Sequence, residues 1–562
     1  MTRAPLSSDT VRELRAALSR FGPPHDAARR SAWARGARAP FADAHALVAW
    51  HDLMLFVLAH PANLAEHARA QRELERVARA ARTIGRSGSR ADRRALRESG
   101  IAWTRVEARF GLAFARWLVA RHPGRAVLDA VDDEPMALGE AIAAALPPAQ
   151  ADIASGGHLD GNEIATAFAP GGDRLAWLVR VFDALDAPAA HRDQLFEAIG
   201  ASTRLDLADS PLSRTFLRGP SRRPFCVTRL VRDPDVAATL ETPLATPRGA
   251  SLREREAALD ASRGAIAVLG RETDAMATTS ARDSELHALG RGLVIALHAP
   301  SPDRAGAYDA HVGFGLYRNG VPVAYGGGWP FAGGCRIGVN VFPAFRGGES
   351  AWLFAQVLRA YRQRFHVVRF VVEPYQYGAG NREGLESGAF WFYWRLGFRP
   401  VVPRVRALAE AEAAKLAADR DYRAPIAMLR RFTTSDIALD LAPGAAPPDA
   451  AELAEAASDW LARRGRGDFA HAERFALAAA ERLLGRRAPA SGPERDAWRA
   501  FAPLLAQLPS LARWSARERA HLAALLDLKA RDTFAFQRNL AASPRLCQAL
   551  STLATRRRAE LC

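Results

Sequence analysis

The sequence predicts a mixed α/β core between two large all-helical regions. Short apolar runs with strand-like alternation, separated by glycines, are concentrated at 290–405. A helix pattern lies between two of these runs, as in a βαβ crossover. On either side of this stretch, apolar residues recur with helical spacing. We therefore expect a helical domain at 1–210, an α/β domain at 211–405 with its core at 290–405, and a helical C-terminal domain at 406–562.

Helix patterns run through both flanking regions. Residues 41–60 are strongly apolar, and residues 62–82 read as a charged helix that a loop at 85–89 follows. Thr104 and Glu107 have the spacing of a capping box, which predicts a helix starting there. Further helices are expected at 134–146, 174–185, 407–420, 451–463, 471–484 and 518–528.

The α/β core is expected to begin with an antiparallel meander after a helix at 251–269. Asn319-Gly320 is the strongest short hairpin signal in the chain, because both residues tolerate the positive φ that a two-residue turn requires. The predicted strands are 225–230, 292–298, 311–317 and 321–325.

A strand, a glycine turn, a helix and a second strand follow. Residues 336–342 alternate, and the helix after them has an apolar stripe that includes Phe354 and Leu358. The second strand is expected at 367–372, parallel to the first. Because Pro374 has no N–H group, pairing between the two strands must fail beyond it.

The turn from Phe345 to Ala351 is a candidate anion-binding loop. The first amides of a helix are unpaired and carry about half a positive charge, so they suit a pyrophosphate where glycines leave clearance. Gly347 and Gly348 provide that clearance, and Arg346 adds a cation. Glu349 in the first turn competes for the same dipole. The alternative interpretation is a tight turn in which Glu349 stabilises the helix start.

Two segments of this core resemble the GNAT superfamily of acyl-CoA-dependent N-acyltransferases. The loop Arg346-Gly-Gly-Glu-Ser-Ala351 is similar to the family's pyrophosphate loop, Q/R-x-x-G-x-G/A, with Glu349 where glycine is usual. Ala389-Phe-Trp-Phe-Tyr-Trp-Arg-Leu-Gly-Phe398 is similar to the family's A-x-x-F-Y-x-x-L-G-F helix end. Glu386 stands where the family often has asparagine. A helix at 388–396, which Ser387 would cap, carries this second motif.

The resemblance implies that an amine attacks the thioester of acetyl-CoA or another acyl-CoA directly, in a cleft where two parallel strands separate. Tyr393 matches the tyrosine that protonates the departing thiolate. Glu373 is our first choice for the general base, and His311, Glu386 or a water chain are alternatives. The resemblance assigns acyl-CoA binding to Phe342, Arg346, Gly347, Gly348, Glu349, Ser350 and Ala351.

A second hypothesis from another class is a catalytically silent core that serves as a binding or scaffold module, because Glu349 and Glu386 depart from the family pattern and most of the chain is helical. The helical regions would then serve in substrate capping, oligomerisation or partner binding. Both hypotheses leave the acceptor amine and the acyl length open.

The net charge of +16 raises a third hypothesis, an arginine-rich nucleic-acid-binding protein. Only Lys415 and Lys529 are lysines among 77 basic residues, and this bias also fits a GC-rich bacterial genome. A stripe of arginines begins at Arg69 and continues to Arg94. Because Glu73 and Glu75 are interleaved and aromatic residues are absent, a solvated helix face explains the stripe better than nucleic-acid binding.

The cysteines and histidines indicate no metal site and no disulfide framework. Cys226, Cys335, Cys547 and Cys562 are scattered, and the histidines at 45, 51, 60 and 67 do not align on one helical face. The start of the chain has no apolar signal core, and no run of about 18 uncharged apolar residues occurs. We therefore expect a cytoplasmic protein without a membrane span.

Overall fold

The computed structural model describes residues 4–169, 171–221, 223–245, 249–444 and 446–561, and its N-terminal part is largely helical. Up to residue 198, the α-helices are α1 (Ser8–Leu18), α2 (Asp26–Gly36), α3 (Ala44–Ala59), α4 (Leu64–Ser87), α5 (Arg90–Leu96), α6 (Leu112–Arg121), α7 (Leu138–Ile142), α8 (Pro148–Ser155), α9 (Gly161–Phe168), α10 (Arg174–Ala184) and α11 (Ala189–Ala198).

This region also contains a small antiparallel sheet, so the prediction of an all-helical N-terminal domain is wrong. Its strands are β1 (Arg105–Arg109), β2 (Ala126–Ala130) and β3 (Ser202–Asp206), in the order β1-β3-β2. β1 occupies the segment where the Thr104–Glu107 capping box predicted a helix. The Thr104 hydroxyl donates to the Ile101 carbonyl, and Val106 alternates with exposed neighbours. A local cap signal was therefore overridden by strand pairing.

An eight-stranded mixed sheet forms the centre of the molecule. Its strands are β4 (Ser284–Gly290), β5 (Leu293–His298), β6 (Val312–Arg318), β7 (Val321–Phe331), β8 (Gly334–Val341), β9 (Arg369–Val372), β10 (Arg399–Pro400) and β11 (Ile437–Asp440). The order is β10-β11-β9-β8-β7-β6-β5-β4, and every pair is antiparallel except β8–β9. The predicted meander, the Asn319-Gly320 hairpin and the parallel crossover are therefore present.

Helices precede this sheet or connect its strands. They are α12 (Val236–Glu241), α13 (Leu252–Ala267), α14 (Asp274–Thr278), α15 (Ser350–Phe365), α16 (Arg382–Glu386), α17 (Ala389–Arg395), α18 (Pro403–Ala418) and α19 (Ile426–Phe432). α15 is the crossover between β8 and β9, and it buries the predicted stripe, with Phe354 and Leu358 at 0% exposure. α17 begins after Gly388 in the left-handed conformation, without the predicted cap from Ser387.

Three strands of the large sheet were not predicted, and one predicted strand is absent. β4, β10 and β11 were missed, and the structure has no strand at 225–230. β11 lies at 437–440, inside the segment predicted to be helical, yet it inserts between β9 and β10. It has four residues and β10 has two, so neither shows a period long enough to recognise.

The rest of the chain is helical, as predicted. Its helices are α20 (Ala450–Gly465), α21 (Phe469–Leu484), α22 (Pro493–Ala506), α23 (Ala516–Lys529), α24 (Thr533–Ala541) and α25 (Pro544–Leu561). Their buried residues form a separate core that also takes in Tyr308 and Phe331. The N-terminal region and the large sheet instead share one continuous core, from Leu6 to Phe432 and beyond.

Among the described helices, none is long and apolar enough to cross a membrane. Cys226, Cys335 and Cys547 are free thiols, and Cys562 lies outside the described residues.

Candidate functional site

The two parallel strands of the large sheet separate soon after they begin to pair. β8 and β9 are in register at Gly334–Arg369, Cys335–Phe370 and Arg336–Val371, and no pair follows. β8 nevertheless continues to Val341 and stays paired with β7 along that length. β9 ends at Val372 and turns away through Pro374. The half of β8 after Arg336 therefore borders an opening in the sheet, as the sequence predicted from Pro374.

The glycine turn lies directly beyond the end of β8. A short turn, Pro343–Phe345, leads to Gly347, whose φ of +74° is favourable only for glycine, and α15 begins at Ser350. No atom lies within 4 Å of the position that a Cβ on Gly347 would occupy. Among the described residues, the amides of Gly347, Gly348 and Ser350 have no acceptor. The loop thus has the free amides and the clearance that an anion requires.

Three other predicted loop residues have packing roles. Phe342 is 7% exposed and stacks near Tyr325, with ring centroids 5.4 Å apart. The Ser350 hydroxyl donates to the Phe345 carbonyl at 3.4 Å. Ala351 is half-buried at the start of α15 and contacts the core.

Two arginines lie near the loop. Arg346 is 49% exposed, forms an ion pair with Glu383 and donates from Nε to the Val341 carbonyl at 3.1 Å. Arg271 donates to the Tyr325 hydroxyl at 2.8 Å, and Glu383 is also close enough to raise the pKa of Arg271. Arg271 was not predicted as a site residue, because it lies 75 positions before Arg346 in a segment between helices.

The Glu349 carboxylate points away from the loop into the protein interior. Its side chain has 0% exposure, and it lies 3.0 Å from Arg318 and 3.2 Å from the Nε2 of His60. It also accepts from the Val231 amide at 2.7 Å. Burial alone would raise its pKa, but His60 and Arg318 together lower it. The Glu349 side chain therefore makes no capping hydrogen bond to α15 and does not face the open amides, so the expectation that it competes for them is wrong.

Tyr393 is part of an aromatic cluster between α15 and the turn after β9. Its ring centroid is 5.7 Å from that of Phe354, 5.8 Å from Phe398 and 6.4 Å from Tyr377. The residue is 3% exposed, and its hydroxyl has no hydrogen-bond partner among the described residues. Burial raises the pKa of the phenol, so it is protonated at neutral pH.

Glu373 lies on the face of the sheet opposite α15. The Cys335 sulfur and Tyr361 of α15 both approach within 2.9 Å of the position that a Cβ on Gly328 would occupy, so Cys335 faces α15. Arg336 follows it and must face away. Arg336 forms ion pairs with Glu373 at 3.1 Å, Asp436 at 3.4 Å and Asp449 at 2.9 Å.

Gln376 lies over the opening on the same face as Arg336. Its side-chain nitrogen is 2.8 Å from the position that a Cβ on Gly338 would take, and Gly338 is two residues after Arg336 in β8. The side chain is half-buried, and its carboxamide group has no hydrogen-bond partner among the described residues. Gln376 was not predicted as a site residue, since a single glutamine in a Pro/Tyr-rich turn resembles an ordinary loop residue.

The two alternative bases differ in position. His311 faces this opening, because its Nε2 lies 2.3 Å from the position that a Cβ on Gly327 would occupy, and Gly327 pairs with Gly338. Its ring stacks on Trp329, and burial lowers its pKa to about 4. Glu386 is half-exposed and forms an ion pair with Arg382.

No protein-family model, curated protein or solved structure matches this chain. Within the part of the chain that the structure describes, no group of three or more His, Cys, Asp or Glu side chains is arranged to hold a metal ion. The geometry of the opening is therefore the structural evidence that bears on function.

The predicted site residues fall into two sets on either side of the opening. The loop with Arg346 lies at the start of α15, and Tyr393 lies against Phe354 of the same helix. Glu373 is on the other face, with His311 and Gln376. The two sets lie on either side of the place where β8 and β9 separate.

Proposed function

We propose that this protein is an N-acyltransferase that moves an acyl group from acyl-CoA to an amine. One observation carries the proposal: a parallel strand pair opens after three residue pairs, immediately before a glycine turn with free amides at the start of the crossover helix. The antiparallel meander that leads into this βαβ unit is the order expected from the GNAT resemblance.

The acyl-CoA would bind on the α15 side. Its pyrophosphate would contact the amides of Gly347, Gly348 and Ser350, which have no acceptor among the described residues. Arg346 would leave Glu383 to pair with the phosphates. Arg271 is a second cation near Glu383, but it donates to Tyr325, which lies on the face of the sheet opposite α15. The thioester would then reach the opening beside β8, near the phenol of Tyr393.

The amine would approach from the opposite face. Neutral amine nitrogen attacks the thioester carbon, the C–S bond breaks, and the departing thiolate takes a proton from the Tyr393 phenol. The proton that the amine nitrogen loses passes to a base on its own face. Glu373 is the first candidate for this base, because it lies at the end of β9 and 57% of its side chain is exposed. His311 is an alternative, since burial lowers its pKa to about 4 and leaves the imidazole neutral at neutral pH.

Acyl-CoA binding gives the direct test. Acetyl-CoA at 100 times its dissociation constant should stabilise the folded protein by about 2.7 kcal/mol, which a thermal shift assay detects. Longer acyl-CoAs and CoA alone form the comparison panel. A panel of amines, polyamines and protein N-termini then tests turnover. If no CoA compound shifts the melting temperature at millimolar concentration, the proposal is wrong.

A second candidate function is a non-catalytic binding or scaffold module built on the same core. The observations that favour it are the Arg346–Glu383 ion pair and the position of Gln376, because both occupy places that substrates would need. Saturable acyl-CoA binding without transfer to any amine in the panel would support this alternative over the enzyme.

A further inference from the structure

The face formed by α4 and α5 carries a dense and largely unpaired positive charge. It includes the arginines at 69, 72, 76, 79, 82, 86, 90, 93, 94 and 97. Among the described residues, only Arg76 in this set forms an ion pair, with Glu73 at 2.8 Å. The other nine are all exposed. We refer to this surface as the arginine face.

The acidic residues that were expected to neutralise this face pair with only one of its arginines, Arg76. Glu73 is 5% exposed and turns inward, where it accepts from the indole of Trp50 at 3.1 Å and from the Arg38 amide at 3.2 Å. Glu75 is exposed, but it forms no ion pair with Arg79 or with any other described residue. These two glutamates therefore leave most of the charge on the arginine face unpaired.

The spacing of the exposed arginines suits a long polyanion. Arg72, Arg79 and Arg86 recur every seven residues, so they lie within about 40° of one another on α4, roughly 10 Å apart along its axis. Together they extend over about 21 Å, the length of roughly six base pairs. The arginines of α5 continue the charge beyond the end of α4.

The surroundings of the face favour a duplex over other polyanions. A helix that binds a membrane surface exposes an apolar side, but α4 buries its apolar side, including Leu74 and Val77, in the core. A single-strand site offers aromatic rings for base stacking. Here the rings of Trp33 and Trp103 already lie under the guanidinium groups of Arg69 and Arg82. The remaining charges suit phosphate contacts, which do not depend on base sequence.

We propose that the arginine face binds the phosphate backbone of a double-stranded nucleic acid without sequence preference. This inference is independent of the acyltransferase proposal, because none of the arginines belongs to the opening between β8 and β9.

Fluorescence anisotropy with the full-length protein tests it. The probes are a labelled 20-base-pair DNA duplex and an RNA duplex of the same sequence, titrated between 0.05 and 0.2 M salt. The triple variant Arg72→Ala/Arg79→Ala/Arg86→Ala should lower the slope of log K against log salt by about 2.7 on DNA. At 0.1 M salt, this corresponds to roughly 10²–10³-fold weaker binding. The matching Arg→Lys triple variant should keep most of the slope.

The control is the triple variant Arg474→Ala/Arg482→Ala/Arg487→Ala, which removes the same amount of charge from the C-terminal region. These three arginines are also exposed, and they form no ion pair with any described residue. This variant should bind nearly as well as the wild type. The proposal is overturned if the wild-type protein binds neither duplex at 0.05 M salt. An equal loss in both triple variants would also overturn it, since net charge alone would then explain binding. So would stronger binding to phosphatidylserine vesicles than to the duplexes.

Discussion

Replacement of Glu349 by alanine should destabilise the fold strongly, because it leaves a buried cation without its counter-ion. Arg318 is 0% exposed, and among the described residues only the carboxylate of Glu349 lies within ion-pair distance of it. Removing one partner of a buried pair typically costs about 3–5 kcal/mol. The variant also loses the hydrogen bond from the Val231 amide.

Urea denaturation followed by circular dichroism measures this cost. Glu386→Ala is the matched control, since Glu386 also pairs with an arginine, but its side chain is 51% exposed. Glu386→Ala should lower the free energy of unfolding by less than about 1 kcal/mol. The double variant Glu349→Leu/Arg318→Met removes both charges and keeps the packing, so it should recover most of the stability that Glu349→Ala loses. A cost below about 1 kcal/mol for Glu349→Ala would refute the buried-network reasoning, as would a double variant less stable than the single one.

Four further predictions concern the site and its surroundings. Tyr393→Phe should lower kcat about 10²–10⁴-fold in an amine acylation assay, with stability and acyl-CoA affinity nearly unchanged; wild-type turnover would leave Tyr393 as a packing residue. Arg346→Ala should weaken acyl-CoA binding by about 1.5–3 kcal/mol in isothermal titration, whereas Glu383→Ala, which frees Arg346, should strengthen it. Gln376→Ala should change KM for the amine without changing acyl-CoA affinity, because Gln376 lies on the opposite face from the loop; an altered CoA affinity would contradict this placement. Burial raises the pKa of Glu272 from 4.5 to about 7, so the folded state holds this proton more tightly than the unfolded state does. The resulting contribution of Glu272 to the free energy of unfolding is fully present below pH 4.5 and is lost as the pH rises through 7. Glu272→Gln should therefore raise the unfolding free energy at pH 8 by up to about 3 kcal/mol and leave it unchanged at pH 4, as measured by urea denaturation at each pH.

The sequence predicted those elements whose pattern is long and local. The strands from 292 to 342 and the crossover helix carry clear periods, and the structure has them within a few residues, except that β7 runs to Phe331, six residues beyond its predicted end. β1 and β11 were missed because each has only four or five residues and depends on partners distant in the chain. β1 pairs with β3, about 100 residues away, and no local signal records that contact.

The opening between β8 and β9 was predictable, but the orientation of side chains around it was not. Pro374 marks the end of pairing because it has no N–H group, and that argument needs only the sequence. The direction of Glu349 depends on His60 and Arg318, which come from α3's C-terminal end and the end of β6. Neither position is near Glu349 in the chain. A carboxylate in the first turn of a helix therefore suggested a cap, although its partners lie in the core.

The position of Glu349 explains how the N-terminal region relates to the loop. His60, just after α3, and Arg318, at the end of β6, meet on one carboxylate that immediately precedes the first turn of α15. Arg15 of α1 adds a hydrogen bond to the Ala344 carbonyl at 2.6 Å, two residues before Arg346. Arg15 of α1 and His60 after α3 thus hold the turn that carries the free amides on its buried side, while the space beside Gly347 stays open. Glycine at position 349 would supply backbone freedom but no such anchor, so the Glu349 carboxylate ties the start of α15 to the core.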